Sequence, residues 1–211
     1  MDEKNKLVED IVKEEWYQFD HVQNQGGRAF CQDDWETFKI MRTSQFMPWP
    51  EDLLRSYFMD LLEANLSGWN LVSEKYARTM QSTAPSEYEA LKDKLPYRTP
   101  ERLQRQERVI QMHVAWNEEF SAKYPHYAGQ GRRIHSYEDT PYSVSAETYL
   151  RGELSTYSDR TFKMYEAWMD ELSSEGKNLP AIIGELTAQA YGYASVEEAD
   201  RRIYSVNSGV E

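Results

Sequence analysis

At 211 residues the chain is long enough for one sizeable core, and its formal net charge of −12 counts against a nucleic-acid partner, which calls for concentrated basic surface. A 13% aromatic content, with six Trp and fifteen Tyr, excludes disorder. The one cysteine, Cys31, excludes an intrachain disulfide; no signal peptide or membrane span is evident, so a soluble, cytoplasmic protein with no membrane partner is expected.

Apolar periodicity predicts helices nearly throughout and no strands, hence a single all-α domain over 1–211: a bundle of about seven to nine helices. Helix one, over about 4–25, carries Val8, Ile11, Val12, Phe19 and Val22 on one stripe. Gly26-Gly27 resets the phase. The second helix, about 29–46, is read with Cys31, Trp35, Phe38 and Met41 as its stripe and stops at Pro48-Trp49-Pro50. Helices over 50–66 and 69–81 follow, divided by Gly68, then a short charged helix over 86–94. Thr99-Pro100-Glu101 combines a hydroxyl cap, a first-turn proline and an acidic charge, and starts a helix running to about 124. Residues 125–144 have no periodicity and read as one long ordered loop. A helix over 146–174 has Leu150, Leu154, Tyr157, Thr161, Tyr165, Trp168 and Leu172 in phase. Short helices over 180–192 and 195–204 end the chain.

Polar groups on the apolar stripes point to a site. Glu15 falls at the centre of the first stripe, and Asp34, Arg42 and Gln45 lie within the second. His113 sits among Val109, Ile110, Trp116 and Phe120, with Asn117 beside it, and Glu147 and Glu153 flank the stripe of the 146–174 helix. A charged group rarely occupies a core face unless paired or used. If the helices bearing these groups pack together, the groups converge on one polar cavity, with Arg28 and Arg151 nearby, Trp16 and Trp35 as walls, and loop residues Arg132, Arg133, His135, Tyr137 and Glu138 as a lid.

Each feature also has a plain structural explanation. His113 can be a satisfied core histidine, Glu15 can pair with Arg42, and Glu147 can pair with Arg151 one turn away. Cys31 reads as a buried small hydrophobe. Such networks can specify a fold without catalysing anything. No phosphate loop, dinucleotide fingerprint, serine elbow or H-E-x-x-H motif is present. No Glu stands three residues before any His, which rules out the standard dinuclear carboxylate bundle. A mononuclear Mn or Fe site from His113 with two of Glu15, Asp34, Glu147 and Glu153 stays open.

The tract from Val22 to Phe46, V-Q-N-Q-G-G-R-A-F-C-Q-D-D-W-E-T-F-K-I-M-R-T-S-Q-F, resembles the signature of the bacterial domain-of-unknown-function family 4125. The tracts from Trp69 to Ala77 and from Glu147 to Ser158 resemble its middle and second marked regions. The resemblance implies a mostly helical bacterial protein and supplies no activity, cofactor or catalytic residue.

The function expected from the sequence is therefore that of a cytoplasmic small-molecule enzyme acting by acid–base chemistry, a lyase, isomerase or hydrolase. Glu15 or Glu147 is the expected base and His113 the proton donor or shuttle, with Glu153 also a candidate catalytic residue. Arg42, with Arg28 or Arg151, is expected to hold an anionic substrate. The alternatives are a non-catalytic ligand-binding or regulatory module and the mononuclear metal enzyme. The cofactor and the oligomeric state stay unknown.

Overall fold

A computed structural model describes residues 2–24 and 26–208. It is an all-α bundle of eleven helices, with no β-strand among the described residues. The elements are α1 (Glu3–Asp20), α2 (Trp35–Phe46), α3 (Glu51–Ser67), α4 (Leu71–Thr83), α5 (Pro85–Leu91), α6 (Pro100–Lys123), α7 (Pro125–Ala128), α8 (Ala146–Thr156), α9 (Asp159–Ser174), α10 (Leu179–Ala190) and α11 (Val196–Ser208). None of these is long and apolar enough to cross a membrane. The count exceeds the seven to nine expected, because one predicted helix is two and the predicted loop contains another.

Helix α1 buries the expected stripe of Val8, Ile11, Val12 and Phe19, and Glu15 with it. It ends at Asp20, short of the expected 25, where Gln32 takes over its last carbonyls. The Gln32 side-chain amide donates to the Phe19 and Val22 carbonyls at 2.9 and 3.2 Å. Gln32 is held in a separate short turn of 3-10 helix, Phe30–Asp33. Helix α2 begins only at Trp35, with the Asp34 carboxylate capping it by accepting from the Thr37 N–H at 3.0 Å. That break shifts the phase. Cys31, expected in the core, is exposed, and so is Met41; the inward face of α2 is Phe38, Arg42, Gln45 and Phe46 instead.

The start of α4 is set by two amides. Asn70 Oδ1 accepts from the Ser73 N–H, and Gln18 of α1 accepts from the N–H groups of Leu71 and Val72. Both sides of α4 are buried, so Glu74 and Lys75, neighbours in sequence, are each enclosed. Helix α4 packs closely on α8. A Cβ at Gly152 would stand 2.8 Å from the Lys75 carbonyl oxygen, so only glycine permits the approach.

The predicted 146–174 helix is broken at Tyr157-Ser158. The α8 carbonyls of Leu154 and Ser155 accept from the guanidinium groups of Arg102 and Arg98 at 2.9 and 2.8 Å, placing cations at the negative end of the helix. Ser158 then caps α9, its Oγ accepting from the Thr161 N–H at 3.2 Å, while its own N–H donates to Asp60 Oδ2 at 3.0 Å. The 125–144 segment is ordered by similar means. Asp200 accepts from the N–H groups of His126 and Tyr127 at the start of α7, and Asp139 accepts from the Ser145 N–H and from the Ser82 and Thr148 hydroxyls.

The main core lies among α1, α3, α6, α8 and α9, with Leu54, Leu61, Ile110, Leu154 and Met169 fully buried. Each such side chain contributes about 1.5–3 kcal/mol relative to exposure. A smaller core of Phe120, Ala188, Val196 and Ala199 joins α6, α10 and α11.

Candidate functional site

Within this core, four charged side chains from four helices meet. Arg42 of α2 donates to both oxygens of Glu15 of α1, Nε to Oε2 at 2.6 Å and Nη2 to Oε1 at 2.5 Å. It also reaches Glu153 of α8, at 3.1 Å from Nη2 and 3.4 Å from Nη1. Gln45 ties these together, accepting from Arg42 Nη1 at 2.7 Å and donating to Glu153 Oε1 at 2.9 Å. The hydroxyls of Tyr57 and Tyr157 complete the acceptor shells of Glu15 and Glu153 at 2.6 and 3.3 Å. Lys75 of α4 faces Glu153 Oε2 at 3.5 Å and lies 4.5 Å from the Tyr149 ring centre.

Two carboxylates and two cations leave this network neutral, which is what permits its burial. Its electrostatics follow from the pairing. Burial pushes the Glu153 carboxyl up, but Arg42 and Lys75 outweigh it and hold it at about 2. Burial opposes the Lys75 ammonium, but Tyr149 and Glu153 leave its pKa raised. Burial raises both tyrosines well above their ordinary value. Every N–H of Arg42 has an acceptor, so this guanidinium has none spare for a substrate.

The site residues expected from the sequence do not all meet in one place. Of the predicted site residues, Glu15, Arg42, Gln45 and Glu153 come together; the others lie apart. Asp34 is an exposed helix cap, and Arg28 is exposed and paired with Asp20 and Asp33, both because α2 starts later than its periodicity suggested. Glu147 binds Arg151 at 2.7 Å, and Arg151 also binds Glu107 of α6 at 3.0 Å, an edge network on the α6–α8 contact. His113 is a core histidine, 2.9 Å from the Tyr165 hydroxyl and beside Met169, and burial lowers its pKa to about 4. Asn117 donates to the His113 carbonyl within its own helix. Trp16 and Trp35 pack with Phe38 at the α1–α2 contact. The residues proposed for a mononuclear metal are thus scattered, and among the described residues no group of three or more His, Cys, Asp and Glu could hold a metal ion. Of the expected lid, Arg132 lies over the Tyr149 ring at 4.4 Å and so covers the outer end of the network.

A separate cleft of about 260 Å³ opens where α3, α4 and the α8–α9 break meet, lined in part by Asp60, Glu63, Trp69, Glu74, Arg98 and Ser158. Glu74 is buried and engaged: it accepts from the Trp69 indole N–H at 2.6 Å and pairs with Arg78 at 2.7 Å, with Arg98 at 4.0 Å. Burial lowers the Arg98 pKa. Asp60 is different. It is 7% exposed and accepts one hydrogen bond, from the Ser158 N–H; Arg98 lies beyond ion-pair distance, but the Asp60 charge still favours its guanidinium.

None of the cleft residues was a sequence candidate. Their signal was the Ser158-Asp159 start of α9, a cap signature that breaks the 146–174 helix and creates the cleft. Asp60 carried a fainter one, as an acid one residue before Leu61 on a mostly apolar stretch of α3.

A family model described as "Protein of unknown function (DUF4125)" matches residues 5–201, and the chain belongs to that family. No curated protein and no solved structure matches the chain.

Proposed function

We propose that this DUF4125 protein is a small-ligand-binding module, with the cleft at the α8–α9 break as its site and the Glu15–Arg42–Glu153–Lys75 network as the rigid wall behind it. The supporting observation is the cleft's lining, in which Asp60 and Glu63 of α3, the Trp69 indole and Arg98 share one opening of about 260 Å³. Charged and aromatic groups converging on one concavity are what a small polar ligand requires.

Binding is favoured over acid–base turnover because the groups expected to move protons are committed elsewhere. Glu153 at about 2 stays ionised at neutral pH, and His113 at about 4 stays neutral in the core. The arginines expected to hold an anion are occupied by Glu15 and Glu153, by Asp20 and Asp33, and by Glu107 and Glu147. A lone, exposed Cys31 suits a reducing bacterial cytoplasm, where we place the protein.

A thermal-shift screen of a metabolite library tests the assignment, since a ligand selective for the native state raises the melting temperature. One chemical class is expected to stabilise the wild type. Ser67→Trp, at the exposed edge of the cleft, fills the site; it is expected to melt as the wild type does and to give no response. Equal responses from both proteins, or none from either, would reject the cleft as the binding site.

A further inference from the structure

We propose that Tyr165 is an internal trap for oxidising equivalents: a diffusible one-electron oxidant meeting Trp168 draws an electron from Tyr165, whose phenolic proton passes to His113 Nε2. The inference is independent of the cleft. Tyrosine and tryptophan are the aromatic side chains that give up one electron most readily, and in this core they form a connected group. The Tyr165 ring lies 5.3 Å from Trp49, 5.8 Å from Tyr157 and 6.0 Å from Trp168, centre to centre. Rings at these spacings touch, so an electron passes from one to the next without crossing a gap. Trp168 is the entry: it is 8% exposed, whereas Trp49, Tyr157 and Tyr165 are enclosed at 1–3%.

A phenol gives up its electron readily only when its proton leaves in the same step, because the oxidised phenol is a strong acid. Burial raises the Tyr165 pKa, so the hydroxyl keeps its proton until then. Its oxygen lies 2.9 Å from His113 Nε2, its one hydrogen-bond partner among the described residues. The phenol therefore donates and Nε2 accepts, since the reverse would leave a buried O–H with no acceptor. His113, lowered to about 4 by burial, is neutral at pH 7 and offers that lone pair to the proton. The other buried phenols have poorer acceptors. Tyr57 and Tyr157 donate to Glu15 and Glu153, and a proton on either carboxylate would leave Arg42 or Lys75 short of counter-charge in the core. The step balances. The oxidant gains one electron, Trp168 loses it and regains it from Tyr165, and the Tyr165 O–H bond breaks as an N–H bond forms on His113. The products are a neutral tyrosyl radical and an imidazolium, and one electron returned by a reductant reverses both changes.

Flash–quench oxidation of the full chain by photogenerated tris(bipyridine)ruthenium(III) tests this, with transient absorption and electron paramagnetic resonance to tell tyrosyl from tryptophanyl radicals. The wild type is expected to show a tryptophanyl signal that decays into a tyrosyl radical outliving those on exposed tyrosines such as Tyr142, which couple with one another in solution. Its formation is expected to slow in heavy water, because a proton moves with the electron. Tyr165→Phe keeps the ring, removes the hydroxyl and is expected to abolish the long-lived signal, while Tyr157→Phe keeps it. His113→Gln retains a hydrogen-bond acceptor but no site for the proton, and is expected to slow tyrosyl formation about a hundredfold, the contribution of a positioned base. Trp168→Phe, at the outer edge of the group, leaves the Tyr165–His113 pair in place and is expected to lose the early tryptophanyl signal. A long-lived tyrosyl radical surviving in Tyr165→Phe, none in the wild type, or an unchanged rate in His113→Gln would overturn the proposal.

Discussion

Arg42 holds two buried carboxylates at once, so its loss leaves both Glu15 and Glu153 short of counter-charge. Arg42→Leu is expected to lower the unfolding free energy by about 3–5 kcal/mol in urea titrations. Glu15→Leu with Arg42→Met removes one charge of each sign, leaves Glu153 facing Lys75, and is expected to cost less than Arg42→Leu alone. A double variant less stable than the single one would contradict the pairing. His113 gives the pH dependence. Its pKa falls from 6.5 to about 4 on folding because burial disfavours the imidazolium, so the unfolded chain binds the proton first. Stability is therefore full above pH 6.5 and is lost as pH falls through the range down to 4, by about 3 kcal/mol in all. His113→Gln is expected to flatten the stability profile there; an unchanged slope would mean that His113 is not buried neutral. Glu15, Arg42 and Gln45 were legible in the sequence because their charge or polarity interrupts an apolar stripe. Lys75 and Glu74 were not. A helix enclosed on two sides has no polar face to contrast with its apolar one, so adjacent charges read as solvated.

At the scale of elements, the α4–α8 contact sets how Lys75 meets Glu153. Gly152→Ala would put a Cβ 2.8 Å from the Lys75 carbonyl, a backbone atom that moves only if the helices part. A loss of about 1–3 kcal/mol is expected by thermal or chemical denaturation, and a neutral result would show that the helices separate freely. Most helices were readable from periodicity and caps: Thr99-Pro100 starts α6, and Gly68, at φ 71°, ends α3. The failures share one cause. Leu154, Tyr157, Thr161 and Tyr165 keep helical phase across a two-residue interruption, so hydrophobicity alone runs α8 into α9. Carbonyls claimed by Arg98 and Arg102 from over fifty residues away complete that break, and no local pattern carries such a contact. The same applies to the start of α2, where Gln32 is drawn back to the end of α1.

Over the whole molecule, the two neighbouring sides of α4 and α8 have different tasks. Lys75 and Glu153 face the neutral buried network, while Glu74 and Thr156 line the cleft. The sequence pointed to polar groups inside a bundle and assigned all of them to one cavity. Those groups divide into a core network, an α6–α8 edge network and exposed caps, and the cleft is built from residues that periodicity left unmarked. Measuring ligand affinity and unfolding free energy together on two variants separates the two tasks. The ligand is whichever library compound most raises the wild-type melting temperature. Ser67→Trp is predicted to lose affinity by about tenfold or more while its stability stays within about 0.5 kcal/mol of wild type. Gln45→Leu, which strips hydrogen bonds from Arg42 and Glu153, is predicted to lose about 1–3 kcal/mol of stability and keep its affinity. Lost binding in Gln45→Leu at unchanged stability, with wild-type affinity in Ser67→Trp, would return the site to the buried network.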